Sequence, residues 1–269
     1  MDTHNNAAVF ANLHRQPHPL RLPNAWDAGS ALLIESLGAA AIATTSAGVA
    51  WSLGYRDGDR LPLAPHLASI AAIARAIKVP LSVDIESGYP DEEGSLESRV
   101  ARFIDAGAVG INIQDGADSP QILCEKITQV RNVAERMGIK LYINARTDVY
   151  ARSLVPAARR VSETLSRAKS YHEAGADGLF VLGVTDPEEI REIAGQTDLL
   201  LNVIAWPGLL PAEQLAALGV RRVSVGSWIP QSLWTHTARL AAGFLADGSS
   251  EPLFGDAAPY SHINGCFPD

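Results

Sequence analysis

The stretch "DAGAVGINIQD", residues 105–115, places Gly107 directly before a short run that is apolar at nearly every position. A helix that ends at such a glycine can close with a left-handed cap, a conformation glycine adopts at no steric cost. The run that follows is too continuously apolar for a strand with one wet face, so it reads as a strand covered on both faces. The pattern recurs in "SLGAAAIATTS" (residues 36–46), "RMGIKLYINARTD" (136–148), "EAGADGLFVLG" (173–183) and "ALGVRRVSVGS" (217–227), with Gly38, Gly138, Gly175 and Gly219 in the equivalent place. Three further strands read at residues 21–26, 79–85 and 199–204. Helical segments fit at about residues 30–37, 65–77, 96–106, 121–137, 158–174, 187–194 and 211–218, with a last one at 231–245. Alternation of this kind implies parallel strands joined by right-handed crossovers. Eight strand–helix units in 269 residues predict an α/β fold of the (β/α)8 TIM-barrel type. The alternative is an open doubly wound sheet, but no GxGxxG opens a helix after any strand. Residues 1–269 read as a single barrel domain, with 248–269, rich in Gly, Pro and Ser, as a C-terminal extension.

Composition narrows the function classes. A hydrophobic fraction of 47% fits a compact core, and 22 basic against 30 acidic residues give a formal net charge of -8 with no basic cluster to follow a phosphate backbone. Nucleic acid is therefore not an expected partner. Two cysteines, Cys124 and Cys266, are too few for a disulfide framework and lack zinc-ligand spacing, which points to a reducing cytoplasm. The first residues, "MDTHNNAAVFANLHRQPHP", show no basic-then-apolar signal pattern, and no apolar run approaches the roughly 20 residues of a membrane span. A soluble, untargeted protein is expected.

In a barrel of this type the active site lies at the C-terminal ends of the strands, so the polar residues that close each apolar run are the candidates. The acids gather on neighbouring elements: Asp84 and Glu86 close the third strand, Gln114 and Asp115 the fourth, and Asp57 follows the second. Magnesium accepts one direct carboxylate and keeps several waters held by acids or amides, so Asp84, Glu86, Asp57 and Gln114 could supply a site for a hard cation. The competing reading is that these acids pair with Arg146, Arg56 or helix N-termini at the rim. Ser46, Ala47 and Gly48 are small enough to bring backbone N–H groups against an anionic ligand, or to form a plain tight turn. Arg146 is a bidentate donor suited to a substrate carboxylate, or a structural partner of Asp115 or Asp148. Cys124 falls on an apolar helical spacing and reads as core, His172 and His236 as packing or surface residues, and "VGSW" (225–228) has no assigned role.

The ordered set "PNAWDAGSA" (23–31), "TTSAGVAWSLGYRDGD" (44–59), "DIESGYPD" (84–91), "VGINIQDG" (109–116), "INARTDVY" (143–150), "AGADGLFV" (174–181) and "LNVI" (201–204) resembles the isocitrate lyase/phosphoenolpyruvate mutase superfamily. The resemblance implies a barrel whose eighth helix is exchanged between subunits of a homodimer or homotetramer. It also implies Mg²⁺-dependent chemistry, with Mn²⁺ as a substitute, on 2-oxo or 2-hydroxy acids. It makes Asp84 the direct metal ligand, with Asp57 and Glu86 holding metal-bound waters and Gln114 in the place of a family glutamate. Ser46, Ala47 and Gly48 match a clamp on the substrate carboxylate, and Arg146 and Asn202 match groups that reach substrate oxygens. Arg146, Asp57 and Ser46 are the catalytic candidates. A cation, its waters and Arg146 would then compensate the acids at the end of the third strand.

The departures bear on activity. Glu86 and Gln114 stand where the family more often carries aspartate and glutamate, and Leu182 where a glutamate or histidine is common. The loop after the fourth strand, "QDGADSPQILCEKI" (114–127), is short and lacks both the Lys-x-Cys-Gly-His motif of the isocitrate and methylisocitrate lyases and the lysine- and asparagine-bearing loop of the mutase. Tyr55 and Arg152 are alternative sources of the missing acid/base. The expectation is a Mg²⁺-dependent carbon–carbon lyase or decarboxylase acting on a small 2-oxo or 2-hydroxy di- or tricarboxylic acid through a pyruvate-enolate-like intermediate. The alternatives are P–C bond chemistry of the mutase or phosphonopyruvate hydrolase type, and a barrel that binds a 2-oxo acid without turning it over.

Overall fold

In a computed structural model that describes residues 3–89 and 94–267, the chain forms a parallel barrel. The strands are β1 (Leu20–Leu22), β2 (Asn24–Ala25), β3 (Ile42–Thr44), β4 (Leu81–Asp84), β5 (Ala108–Gln114), β6 (Tyr142–Thr147), β7 (Gly178–Val181), β8 (Leu200–Ile204) and β9 (Arg222–Ser224). Every pairing is parallel, in the order β1-β9-β8-β7-β6-β5-β4-β3-β2. The end strands of that order, β1 and β2, are consecutive in the chain and separated only by Pro23. They are two halves of one bent strand, so the ring closes into a (β/α)8 barrel.

This corrects the reading of residues 21–26 as one strand. Proline has no N–H for the ladder and a fixed φ, and at Pro23 the strand leaves β9 and turns to β3. Asn24 stitches the seam: its amide donates to Thr44 O at 2.8 Å, and its Oδ1 accepts from the N–H groups of Val225 and Gly226 at 2.9 and 2.7 Å.

The helices run α1 (Thr3–Leu13), α2 (Ala28–Ser36), α3 (Ser46–Ser52), α4 (Leu63–Ala76), α5 (Leu96–Asp105), α6 (Pro120–Arg136), α7 (Arg160–Glu173), α8 (Pro187–Gln196), α9 (Ala212–Ala217), α10 (Trp228–Asp247) and α11 (Tyr260–Asn264). The repeat glycines do what their position asks. Gly38, Gly107, Gly138, Gly175 and Gly219 all have φ between 71° and 108°, and each closes a helix just before a strand. Three helices lie outside the sequence reading: Ser46, Ala47 and Gly48, read as a tight turn or anion nest, open α3, residues 3–13 form α1, and α11 lies in the stretch read only as an extension.

Helix α1 closes the N-terminal end of the barrel. Phe10, fully buried, lies where only glycine fits: a Cβ on Gly110 would come within 2.5 Å of its ring. His14 stacks on Tyr142 with centroids 4.0 Å apart and bonds Phe10 O through Nδ1 at 2.8 Å. Burial pushes the His14 pKa down to about 3, with the nearby Arg222 charge adding to the effect. The barrel interior is polar for a fold whose lumen is usually filled by branched aliphatics. Asn144 donates to Asn112 and Asn202 at 2.9 Å, and Asn112 accepts from the buried Arg222.

Helix α10 is the outlier among the long helices. It buries only Pro230, and Leu233, Trp234, Phe244 and Leu245 stay exposed. The extension beyond Gly248 carries α11 and a short 3-10 turn and is almost wholly exposed. Among the described residues no helix is long and apolar enough to cross a membrane.

Candidate active site

The C-terminal ends of the strands surround a cavity of about 300 Å³. One wall comes from Asn24, Thr45, Ser46, Ala47, Asp57, Asp84, Asn112 and Arg146, and the other from Phe180, Leu182, Ile204, Trp206 and Trp228 together with the neutral polar Ser224, Ser227 and Gln231. Of the residues singled out in the sequence, Asp84, Asp57, Ser46, Ala47 and Arg146 therefore meet. Glu86, Gln114, Asn202 and Gly48 are placed differently.

Asp84 ends β4, and its side chain points into the lumen, 9% exposed as a residue. The backbone holds it from both sides: its N–H donates to Thr44 Oγ1 at 3.0 Å, and its Oδ1 accepts from the Glu86 N–H at 3.2 Å. Burial raises its pKa and Asp57 adds to that, whereas Arg146, the Glu86 amide and a hydrogen bond from Ser46 pull the other way. Compensation of this carboxylate by the chain is thus incomplete.

Arg146 is not the free partner that Asp84 would need. It binds Asp148 with both arms of its guanidinium, Nε to Oδ1 at 2.7 Å and Nη2 to Oδ2 at 3.1 Å. Of the alternatives left open by the sequence, Asp148 and not Asp115 is the partner. Burial alone would lower the Arg146 pKa, but Asp148, Asp84 and Asp57 together hold it above its ordinary value. The side chain is locked in one orientation at the cavity wall, with its charge still felt by the acids. Arg152 joins the same carboxylate, Nε to Asp148 Oδ2 at 2.9 Å.

Glu86 reaches away from the cavity. It adopts φ 52°, and its Oε2 accepts the Asp59 N–H at 2.5 Å, so the longer side chain latches the loop after α3 to the turn after β4. Asp59 in turn accepts from the N–H and hydroxyl of Ser87. Burial, then Asp84, and then Asp57 and Asp59 push the Glu86 pKa up to about 8. Three non-glycine residues in this loop pair, Asp59, Glu86 and Tyr89, have positive φ, strain of the kind that collects at functional sites. Pro90 and Asp91, the end of "DIESGYPD", lie outside the described residues.

Gln114 ends β5 beside Arg146 in register, and its N–H donates to Glu86 O at 2.9 Å. Asn202 is fully buried below the cavity, its amide spent on Val203 O, Arg222 O and Ser224 Oγ. Gly48 turns to the outer face of α3, where a Cβ would come within 2.8 Å of Trp26 and 3.3 Å of Pro230. It is a packing glycine where the base of α10 meets α3. Ser46 and Ala47 sit in the first turn of α3, whose leading N–H groups have no carbonyl inside the helix to bond.

Among the described residues no three His, Cys, Asp or Glu side chains converge to ligate one ion directly. The donor set nevertheless fits a hard divalent cation of the magnesium type, which takes one or two carboxylates and retains water. Asp84 is buried and under-compensated, and Asp57 shares its cavity. Sequence reading missed Trp206 and Phe180, and left Trp228, in "VGSW", without a role. The signal available was an aromatic or apolar residue at or just beyond each of the last strands, "LFVLG", "VIAW" and "VGSW".

Comparison with known proteins agrees with this architecture. The family model described as phosphoenolpyruvate phosphomutase matches residues 10–245. An uncharacterised protein of Mycobacterium tuberculosis is 36% identical over 264 residues, covering 97% of this chain and 96% of the relative. The 2-methylisocitrate lyase of Escherichia coli is 28% identical over 215 residues, covering 76% of this chain and 71% of that enzyme. A crystal structure of phosphonopyruvate hydrolase with oxalate and Mg²⁺ superposes with a TM-score of 0.82 at 21% identity, over 97% of this chain and 95% of that one, a likeness of fold. With its closed parallel barrel and a family match spanning most of its length, the chain belongs to the phosphoenolpyruvate phosphomutase family, within the isocitrate lyase/phosphoenolpyruvate mutase superfamily of enzymes.

Proposed function

We propose that the protein is a divalent-metal-dependent carbon–carbon lyase or decarboxylase acting on a small 2-oxo or 2-hydroxy acid. The observation that carries this reading is the meeting of Asp84, Asp57, Ser46 and Arg146 in one cavity, with the Asp84 charge left under-compensated by the chain. Asp84 would hold the metal, with Asp57 on its water shell. The metal, when bound, supplies Lewis acidity toward the substrate's adjacent oxygens, worth several kcal/mol of charge stabilisation.

The chain's own residues do the rest. Arg146, held rigid by Asp148, presents fixed positive charge where the enolate oxygen develops. Ser46 and the first-turn amides of α3 face the carboxylate. Asn112 sits between Arg222 and the cavity and fixes the floor. The alternative P–C chemistry is less well supported: among the described residues the cavity lining offers no lysine or histidine for a phosphoryl group. Decarboxylation is the variant that best tolerates the short loop after β5, because solvent can deliver the proton.

A coupled pyruvate-release assay over oxaloacetate, methylisocitrate and substituted malates tests the reading. The expected result is turnover with Mg²⁺ that is lost with EDTA and with Asp84→Ala. Turnover unaffected by both would sink the proposal.

We also propose a homodimer or homotetramer in which α10 is exchanged. The support is the helix itself, which leaves Leu233, Trp234, Phe244 and Leu245 exposed. A second support is the apolar groove beside β1, lined by Leu13, Ile34, Leu37 and Ile229. Sedimentation of the intact chain as a monomer at micromolar concentration would contradict it.

A further inference from the structure

The two walls of the cavity differ in kind. Among the described residues every charged lining group stands on the side built by β2 to β6, whereas β7, β8, β9 and the start of α10 contribute Phe180, Leu182, Ile204, Trp206 and Trp228, with only the neutral Ser224, Ser227 and Gln231 among them. The indoles of Trp206 and Trp228 meet edge to face, with centroids 6.0 Å apart and planes at 79°. Both remain about two-fifths exposed, 41% each, at the rim of an otherwise buried site.

The Trp228 Nε1–H, the only polar atom of that ring, donates to Ala205 O at 2.6 Å. Its bond to the backbone fixes the ring and leaves hydrocarbon facing the cavity. On the near side, the Arg146 guanidinium lies 6.0 Å from the centre of the Phe180 ring, so the boundary between charge and hydrocarbon falls at Arg146. A ligand anchored by its carboxylate at the Asp84 and Arg146 side would direct its far end at the aromatic wall. Leu182 completes that wall, which among the described residues carries no charged side chain to pair with a second charge.

We infer that the physiological substrate carries an alkyl or aryl substituent larger than a methyl group on the carbon chain remote from the anchored carboxylate, and that Trp206, Trp228 and Leu182 select it. The inference rests on the proposed reading of the site as a metal and 2-oxo-acid centre. It sharpens that reading from a bare oxo acid to a hydrophobically substituted one.

Isothermal calorimetry with Mg²⁺ tests it, using oxalate, pyruvate, 2-oxobutanoate, 2-oxopentanoate and phenylpyruvate as probes. Burying each added methylene is worth about 0.8 kcal/mol, so Kd is expected to fall about fourfold per methylene, with phenylpyruvate the tightest of the series. Trp228→Ala should flatten the ratio of the 2-oxopentanoate and pyruvate constants, and Trp228→Phe should keep most of it. Oxalate or pyruvate binding with a flat or rising series of Kd would overturn this inference and leave the site reading intact. Failure of every probe, oxalate included, would overturn the site reading and this inference with it.

Discussion

Asp84 and Asp115 end adjacent strands of one barrel, both buried, and the chain treats them in opposite ways. Asp115 accepts from Arg167 Nη1 and the Tyr171 hydroxyl at 2.7 Å each and from the Asp148 N–H at 3.0 Å. Its neighbour Asp148 is shared by Arg146 and Arg152. Asp84 has one backbone amide, a serine and the charge of Arg146, which is itself bonded to Asp148, and Asp57 sets a like charge beside it. A buried carboxylate with full donors is scaffold, and one without them is a place where a cation belongs. The two clusters share Arg146, but Arg152, Arg167 and Tyr171 all belong to the Asp115 and Asp148 side. The supply of donors separates them.

The largest effect should come from the under-compensated side. Asp84→Asn is expected to reduce metal-dependent turnover at least about a thousandfold, because the metal's charge is lost from the transition state. The same variant should raise the thermal midpoint of the metal-free protein, equivalent to about 1–2 kcal/mol, since a strained functional charge is removed. A lowered midpoint would mean that the chain already compensates Asp84.

The compensated side should respond in the reverse sense. Arg167→Met strips Asp115 of its buried cation and is expected to cost about 3–5 kcal/mol in urea unfolding. Metal affinity of the folded fraction should be retained. If Arg167→Met weakened metal binding as much as Asp84→Asn does, the division between the two clusters would fail.

A pH series probes the buried imidazoles. His14 and His66 have folded pKa values near 3 and 4, against 6.5 for the free group, both through burial. Between those values the unfolded chain binds protons that the folded chain does not. Their contribution to stability is therefore present above pH 6.5 and is lost progressively as pH falls toward 4 and then 3. The urea midpoint should decline over that window, with a shallower decline in His14→Phe. The smallest effect belongs to the exposed Arg191 and Glu188 pair, 2.5 Å apart. Arg191→Ala should change stability by less than about 0.5 kcal/mol.

Much of the fold was legible because it rests on local rules. A glycine between a helical period and an apolar run has one stable use, and all five repeat glycines serve it. The break at Pro23 was also written in the chain, but the apolar pattern on either side concealed it. Helix α3 escaped because "SAGVAWS" is too short to show a period, and α1 because its buried face amounts to Ala7, Phe10 and a polar Asn6.

The candidate site was legible only as a set of residue types at strand ends. Asp84, Asp57 and Arg146 converge because strand ends converge. Whether Arg146 faces Asp84 or Asp148, and whether Glu86 faces the cavity or Asp59, depends on side-chain direction across loops, which spacing does not encode. The aromatic wall was legible as residues at the strand ends but not as a surface: that Trp206 and Trp228 meet across the barrel mouth is a matter of side-chain direction.

The most direct test is a calorimetric titration of the metal-free protein with Mn²⁺ or Mg²⁺, for the native chain, Asp84→Asn and Asp115→Asn. A single site per chain that disappears in Asp84→Asn and persists in the folded fraction of Asp115→Asn would establish that incomplete compensation marks the metal centre. Equal binding by the native chain and Asp84→Asn, or none by the native chain, would contradict it.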